Sequence, residues 1–286
     1  MLTGKGRTIA LIGAGNMGGA ILKGWLAADM AADDLVVIDP SPPPASQAFL
    51  SEHGIRCATA PQPDMLPDVI ILAVKPQIMH AVLPGVAVLN SQDSVFVSIA
   101  AGTSIATLSA GLAAGGKSDR GEKTGATAII RAMPNTPALV GRGITCLYAN
   151  ADVRDEHKRL VDALLSVCGQ TVWVAREEDI DAATAISGSG PAYVFHFTEC
   201  LAKAGTALGL SPQTAMTLAR ATVAGAGEML RSSPDEVATL RHNVTSPGGT
   251  TAAALDVLMR DNALAKLIDE AARAAHRRAV ELSKTP

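Results

Sequence analysis

Aromatic side chains are scarce: two Trp, two Tyr and four Phe make up 3% of 286 residues, so few platforms exist for stacking nucleic-acid bases. Basic residues are not in excess either, with 24 Lys and Arg against 27 Asp and Glu and a formal net charge of −3. No basic field is available to draw in a polyanion, and nucleic acid is excluded as a main partner. No apolar run reaches the roughly eighteen residues of a membrane-spanning helix, and Met1–Arg7 lead into a strand pattern without a signal-peptide stretch. A soluble, cytoplasmic protein with no membrane partner is expected. Cys57, Cys146, Cys168 and Cys200 show no C-x-x-C spacing, and the six histidines show no H-x-x-x-H or H-E-x-x-H pattern. Reduced thiols and no metal site follow from that spacing.

What the first half does have is alternation. Residues 7–12 and 35–38 are short apolar runs, and between them Met17, Ile21, Leu22, Trp25 and Leu26 recur at helical spacing. One βαβ unit results. Residues 69–74, 95–100 and 128–133 read as further buried strands, with a helix over 76–89, and residues 144–148 and 171–174 read as edge strands around a helix over 155–167. Residues 111–125, small, charged and without period, predict an exposed mobile loop. From Ile180 onward the pattern is helical: Tyr193, Phe197, Leu201, Ala204 and Leu208 share one face, and Ala215, Ala219, Val223, Ala226 and Leu230 another. The second stripe is made mostly of small residues that permit close helix packing, and burial against a second subunit is expected. A last helix is expected over 262–282.

The segment Gly13-Ala14-Gly15-Asn16-Met17-Gly18 lies where the first strand ends and the first helix begins. In that setting the first glycine allows the tight turn, the second a close approach to a pyrophosphate, and the third close packing of helix on strand. Asp39, at the end of the second strand, either accepts hydrogen bonds from an adenosine ribose and repels a 2′-phosphate, or caps the Pro40-Ser41-Pro42 turn and leaves Ser41 to receive that phosphate. Ala73, Val74, Lys75 and Pro76 end another strand at the carboxyl edge, where ligands of open α/β sheets bind. Ala100 and Ala101, and the turn Met133-Pro134-Asn135-Thr136-Pro137, leave room for a nicotinamide ring. The expected architecture is α/β: an N-terminal Rossmann-type doubly wound sheet over 1–175 binding the dinucleotide, then an all-helical substrate-binding and dimerisation domain over 176–286.

Two uncharged segments, Ser187-Gly188-Ser189-Gly190-Pro191 and Ser246-Pro247-Gly248-Gly249-Thr250-Thr251, read as helix starts whose N–H groups could hold a carboxylate without a cation. Neither contains lysine, histidine or an acid. Oxidation of an alcohol normally needs a base, whereas reduction of a protonated imine needs hydride, a fixed carboxylate and a hydrogen bond to nitrogen.

Taken in order, these motifs, together with Arg131–Pro137 and Asn243–Thr251, resemble the pyrroline-5-carboxylate reductase family over nearly the whole chain. The resemblance implies reduction of 1-pyrroline-5-carboxylate to L-proline with NADPH or NADH, by a homodimer or higher homo-oligomer. It also implies that Ser246, Gly248, Gly249 and Thr250 hold the substrate carboxylate, that Thr251 hydrogen-bonds the ring nitrogen as candidate proton donor, and that Asn243 borders the site. Two departures stand out: Glu236-Val237 replaces a frequent His-Pro pair, and the segment around 115–125 is longer than typical. A β-hydroxyacid dehydrogenase is the enzymatic alternative, but it needs a catalytic lysine, and Lys203 alone lies between Lys158 and Lys266. A nucleotide sensor without turnover is the other alternative.

Overall fold

A computed structural model describes residues 7–115 and 127–284. The strand and helix periods alternate along the first part of the chain: β1 (Ile9–Ile12), α1 (Asn16–Ala27), β2 (Leu35–Ile38), α2 (Pro44–Glu52), β3 (Arg56–Ala58), β4 (Val69–Leu72), α3 (Pro76–Val86), β5 (Val95–Ser98), α4 (Ile105–Gly115), β6 (Ala128–Met133), β7 (Gly143–Ala149), α5 (Asp155–Ser166) and β8 (Gly169–Trp173). The eight strands form one sheet in the order β3-β2-β1-β4-β5-β6-β7-β8. Every pairing is parallel except β6 with β7.

Strands β1, β2, β4 and β5 are buried along their whole length, which is why each reads as an unbroken apolar run. Their side chains alternate between two cores: Ile9, Leu11, Val37, Ile71 and Val97 pack with α1 and α5, and Ala10, Ile12, Ile70, Leu72 and Phe96 pack with α3 and α4. In the first core the buried Trp25 donates its indole N–H to the Leu164 carbonyl at 2.8 Å, tying α1 to α5. All four cysteines are free, and burial pushes the Cys168 thiol up to about 11.

The expected strands are found, with four corrections. The segment expected at 144–148 is an interior strand, because the turn after β6 brings β7 back antiparallel beside it, and β8 takes the edge. Strand β3 at the opposite edge was not expected: it is three residues long and partly exposed, so it carries no apolar run. Helices α2 and α4 were not expected either. Residues 111–115 belong to α4, with Gly111 against Leu83, so that part of the expected loop is helix; residues 116–126 lie outside the described residues.

After β8 come α6 (Asp179–Ala183), a π-helical turn (Thr184–Gly188), α7 (Gly190–Ala207), α8 (Pro212–Ser232), α9 (Val237–Asn243), α10 (Thr250–Met259) and α11 (Ala263–Lys284). Contacts divide the chain into two compact units: one runs up to Gly188 and also takes the segment from His276, and the other is Ser189–Ala275. The division falls after α6, beyond the change of pattern at 175, because α6 is held to the sheet by ions. The Arg131 guanidinium, almost fully buried on β6, lies 2.8 Å from Glu177 and 3.6 Å from Asp181. Glu177 also accepts the Ile105 N–H at the start of α4, and Asp181 accepts the Ser283 hydroxyl of α11.

In the second unit α7 and α8 pack as a pair through small residues. Ala202, Ala215 and Ala219 are its buried apolar side chains, and Gly205 sits against Ala215. Phe195, Phe197, Leu218, Met229, Leu230, Leu267 and Ile268 stay exposed within the single chain. Among the described residues no helix is long and apolar enough to cross a membrane.

Candidate cofactor and substrate sites

Strands β2, β1, β4 and β5 end in register at Ile38, Ile12, Leu72 and Ser98. The residues that follow them, Asp39, Gly13, Ala73 and Ile99, therefore gather along one carboxyl edge. That edge carries every cofactor residue expected from the sequence.

The glycine loop shows three distinct requirements. Gly13 has φ +95°, its N–H bonds to the Ile38 carbonyl at 3.0 Å, and a Cβ there would sit 2.9 Å from the Ala73 carbonyl oxygen. At Gly18 a Cβ would fall 2.3 Å from the Gly13 carbonyl oxygen, so this glycine sets how closely α1 packs on β1. Gly15 differs: a Cβ there would meet nothing within 4 Å. It is the N-cap of α1, with no side-chain cap and no acid in the first turn, so the helix presents free N–H groups to open space. The open cradle fits a dinucleotide pyrophosphate.

Asp39 caps the turn, as one of its two expectations has it, and also bonds the glycine loop. One carboxylate oxygen accepts the Ser41 N–H at 2.9 Å, capping the turn, and the other accepts the Ala14 N–H at 2.8 Å, which fixes the charge beside the glycine loop. Ser46 on α2 also reaches the loop, its hydroxyl bonding the Ala14 carbonyl at 2.7 Å. The sequence reading missed Ser46, although Pro44 at a first helical position signals a helix there. Lys75 is exposed at the N-cap of α3 and has no carboxylate partner among the described residues. Ala73 and Val74 line the loop at Gly13, and Ala100 is buried beside the half-buried Ala101. A cavity of about 360 Å³ lined by Thr8, Leu35, Arg56 and Asp64 opens at the other end of the strands, away from all of these.

In the second unit, Asn243 ends α9, Gly248 turns the chain with φ +69°, and the Gly249 N–H closes the turn on the Ser246 carbonyl at 3.0 Å. Gly249 is the N-cap of α10, again with no side-chain cap and no acid in the first turn. Thr250 and Thr251 are its first two residues, and Thr251 is half-buried. Glu236 is the N-cap of α9 and Val237, its first residue, is exposed, so the departure from the frequent His-Pro pair falls at a helix start. In the segment Ser187–Pro191 the expected helix start falls at Gly190: Ser187 and Gly188 close the π turn, and Ser189, at the N-cap, keeps helical backbone angles into α7.

Fold and loop together define a class, the dinucleotide-binding α/β proteins with an appended helical domain. A family model for pyrroline-5-carboxylate reductase dimerisation matches residues 177–282, and one for coenzyme F420-dependent NADP oxidoreductases matches residues 8–102. The chain is 37% identical to a pyrroline-5-carboxylate reductase of Pasteurella multocida, covering 98% of this chain and 99% of the relative. Among solved structures, a pyrroline-5-carboxylate reductase of Coxiella burnetii superimposes with a TM-score of 0.87 at 35% identity, covering 98% and 99% of the two chains. A pyrroline carboxylate reductase of Plasmodium falciparum with NADP bound has a TM-score of 0.77 at 29% identity, covering 99% and 100%. The chain belongs to the pyrroline-5-carboxylate reductase family.

The contrast between Gly15 and Gly18 gives an expected outcome. Gly15→Ala keeps stability within about 1 kcal/mol but weakens NADH and NADPH binding about tenfold or more, because the methyl enters the cradle. Gly18→Ala loses about 1–3 kcal/mol of stability as well, since α1 must move off the Gly13 carbonyl. Fluorescence titration with each nucleotide and chemical denaturation check both; undiminished binding by Gly15→Ala would place the pyrophosphate elsewhere.

Proposed function

We propose that the protein reduces 1-pyrroline-5-carboxylate to L-proline with NADPH or NADH, the last step of proline biosynthesis. The observation that carries this reading is the start of α10: an uncapped helix end next to hydroxyls and a turn glycine, with no charged side chain from Ser246 to Thr251, in a chain of this family. Ser246, Gly248, Gly249 and Thr250 hold the substrate carboxylate through hydroxyl and backbone N–H groups, and the helix dipole favours its charge. Asn243 borders the substrate. The Thr251 hydroxyl donates to the ring nitrogen and is the route by which a proton reaches it. When bound, the nicotinamide cofactor supplies the hydride that, with this proton, turns C=N into CH–NH. Gly13, Ala14, Gly15, Asn16, Met17 and Gly18 hold its pyrophosphate. Asp39 and Ser41 face its adenosine end, and Ala73–Pro76 with Ala100 and Ala101 flank the rest. The lysine needed by a β-hydroxyacid dehydrogenase has no counterpart, since Lys203 lies exposed in mid-α7.

Steady-state consumption of NADH and NADPH with the imine tests the reading, and no turnover with either would end it. Thr251→Ala should lower kcat about 30- to 1,000-fold, the effect of about 2–4 kcal/mol for one transition-state hydrogen bond, while leaving nucleotide affinity unchanged. An unaltered kcat would remove Thr251 from the mechanism.

Cofactor preference rests on Asp39, whose charge is held beside the loop, and on the absence of Lys and Arg between Pro40 and Gln47. Two unit charges about 4 Å apart repel by about 4 kcal/mol at an effective dielectric near 20, so a 2′-phosphate is disfavoured there. NADH is expected to work at least as well as NADPH, and Asp39→Ser to shift the ratio of kcat/KM values toward NADPH. A wild-type enzyme that strongly prefers NADPH would contradict both.

Assembly is proposed as a homodimer or higher homo-oligomer that covers the exposed faces of α8 and α11, consistent with the dimerisation family matched there. Sedimentation at low concentration should show no active monomer.

A further inference from the structure

Two segments singled out in the sequence, Met133–Pro137 and Ser187–Gly190, play no direct part in the chemistry proposed above, yet the structure joins them. Asn135 is buried where β6 ends. Its amide oxygen accepts the Ile144 N–H at 2.9 Å, next to the first residue of β7, and its amide nitrogen donates to the Ser187 carbonyl at 3.0 Å. The first bond decides the second: with a backbone donor fixing the oxygen, the NH₂ group is aimed at Ser187. Ser187 lies in the π turn Thr184–Gly188, where the change in helical pitch makes an outside donor valuable to a carbonyl. A second contact reinforces the link, since a Cβ on Gly188 would lie 2.8 Å from the terminal methyl of Met133. The turn is also where the chain leaves the first unit, between Gly188 and Ser189.

We infer that Asn135 is a positioning residue for the reaction: by donating to the Ser187 carbonyl it holds the π turn in the one conformation from which the chain enters the substrate-binding helices. This inference rests on the proposed reductase reading for its kinetic consequence but not for its structural one. Asn135 touches neither hydride nor proton in the proposed chemistry. Its loss therefore acts on turnover through geometry, and nucleotide affinity, set at the glycine loop, stays as it was.

The isosteric Asn135→Asp variant makes the test specific. Above its pKa the new carboxylate still accepts from Ile144 but faces the Ser187 carbonyl with a charge instead of a donor. Burial raises the pKa of such a carboxyl, so acidification restores an O–H donor at the same place. At pH 8 the variant should bind NADH and NADPH within about twofold of the parent but turn over the imine about 10- to 100-fold more slowly, the usual effect of a small misplacement remote from the chemistry. The variant-to-parent ratio of kcat should then climb as pH falls from about 8 to about 5.5. Hydrogen exchange of amides 184–190 should be faster in the variant at pH 8 and return toward the parent at the acid end, whatever the substrate. Parental kcat and parental exchange at pH 8 would overturn the inference, as would a loss that does not recover on acidification. Failure of the parent itself to reduce the imine would instead strike the proposed function, while the exchange data still decide the role of Asn135.

Discussion

A helix start leaves backbone N–H groups without partners, and proteins normally place a serine, threonine, aspartate or asparagine there to accept from them. Among the described helix starts without a side-chain cap, two, at Gly15 before α1 and at Gly249 before α10, have glycine in the cap position and no acid in the first turn. An anion is the natural complement of both. The rest of the first unit serves the earlier end: buried parallel strands bring the loops into register, and Gly13 and Gly18 let β1 and α1 approach closely enough to keep the cradle at Gly15 open.

Much of this was legible in the sequence because the central strands are buried on both faces and write themselves as apolar runs. The glycine loop was legible because its three glycines answer three different steric demands. Elements that obey weaker constraints were not. Strand β3 is a short, partly exposed Arg-Cys-Ala edge, and α4 is built of Ala, Gly, Ser, Thr, Leu and Ile without a charged face to mark its period. The direction of β7 depends on the turn Thr136–Val140, whose length and bend no hydrophobic pattern records. The bond from Ala14 N–H to Asp39, beside the turn cap at Ser41, was not legible because a pattern of residue types does not show which N–H groups one carboxylate reaches. The roles of Ser246–Thr251 came from resemblance, and the free helix end is the physical feature that makes them reasonable.

Cation-free recognition suits the proposed chemistry. An imine accepts hydride readily as its nitrogen takes up a proton, and a lysine beside it would oppose the charge that develops, whereas N–H groups and hydroxyls hold the carboxylate without doing so. The second unit meets this need at a cost in self-sufficiency. Its buried apolar side chains are three alanines, while long apolar side chains of α7, α8 and α11 remain uncovered within the single chain. The proposed association would cover that apolar surface and add to the stability of those helices.

Helix α11 begins in the helical unit, and its last turns belong to the sheet unit, where Ala279 is buried and Ser283 bonds Asp181. The helical unit is thus an insertion, joined to its host through the π turn on one side and through an unbroken helix on the other. A backbone cut in the π turn leaves the helical unit covalently joined only to the last turns of α11, whereas a cut within α11 leaves it covalently joined to the strands through the π turn. Release of the helical part requires two cuts, one of them in the middle of a helix.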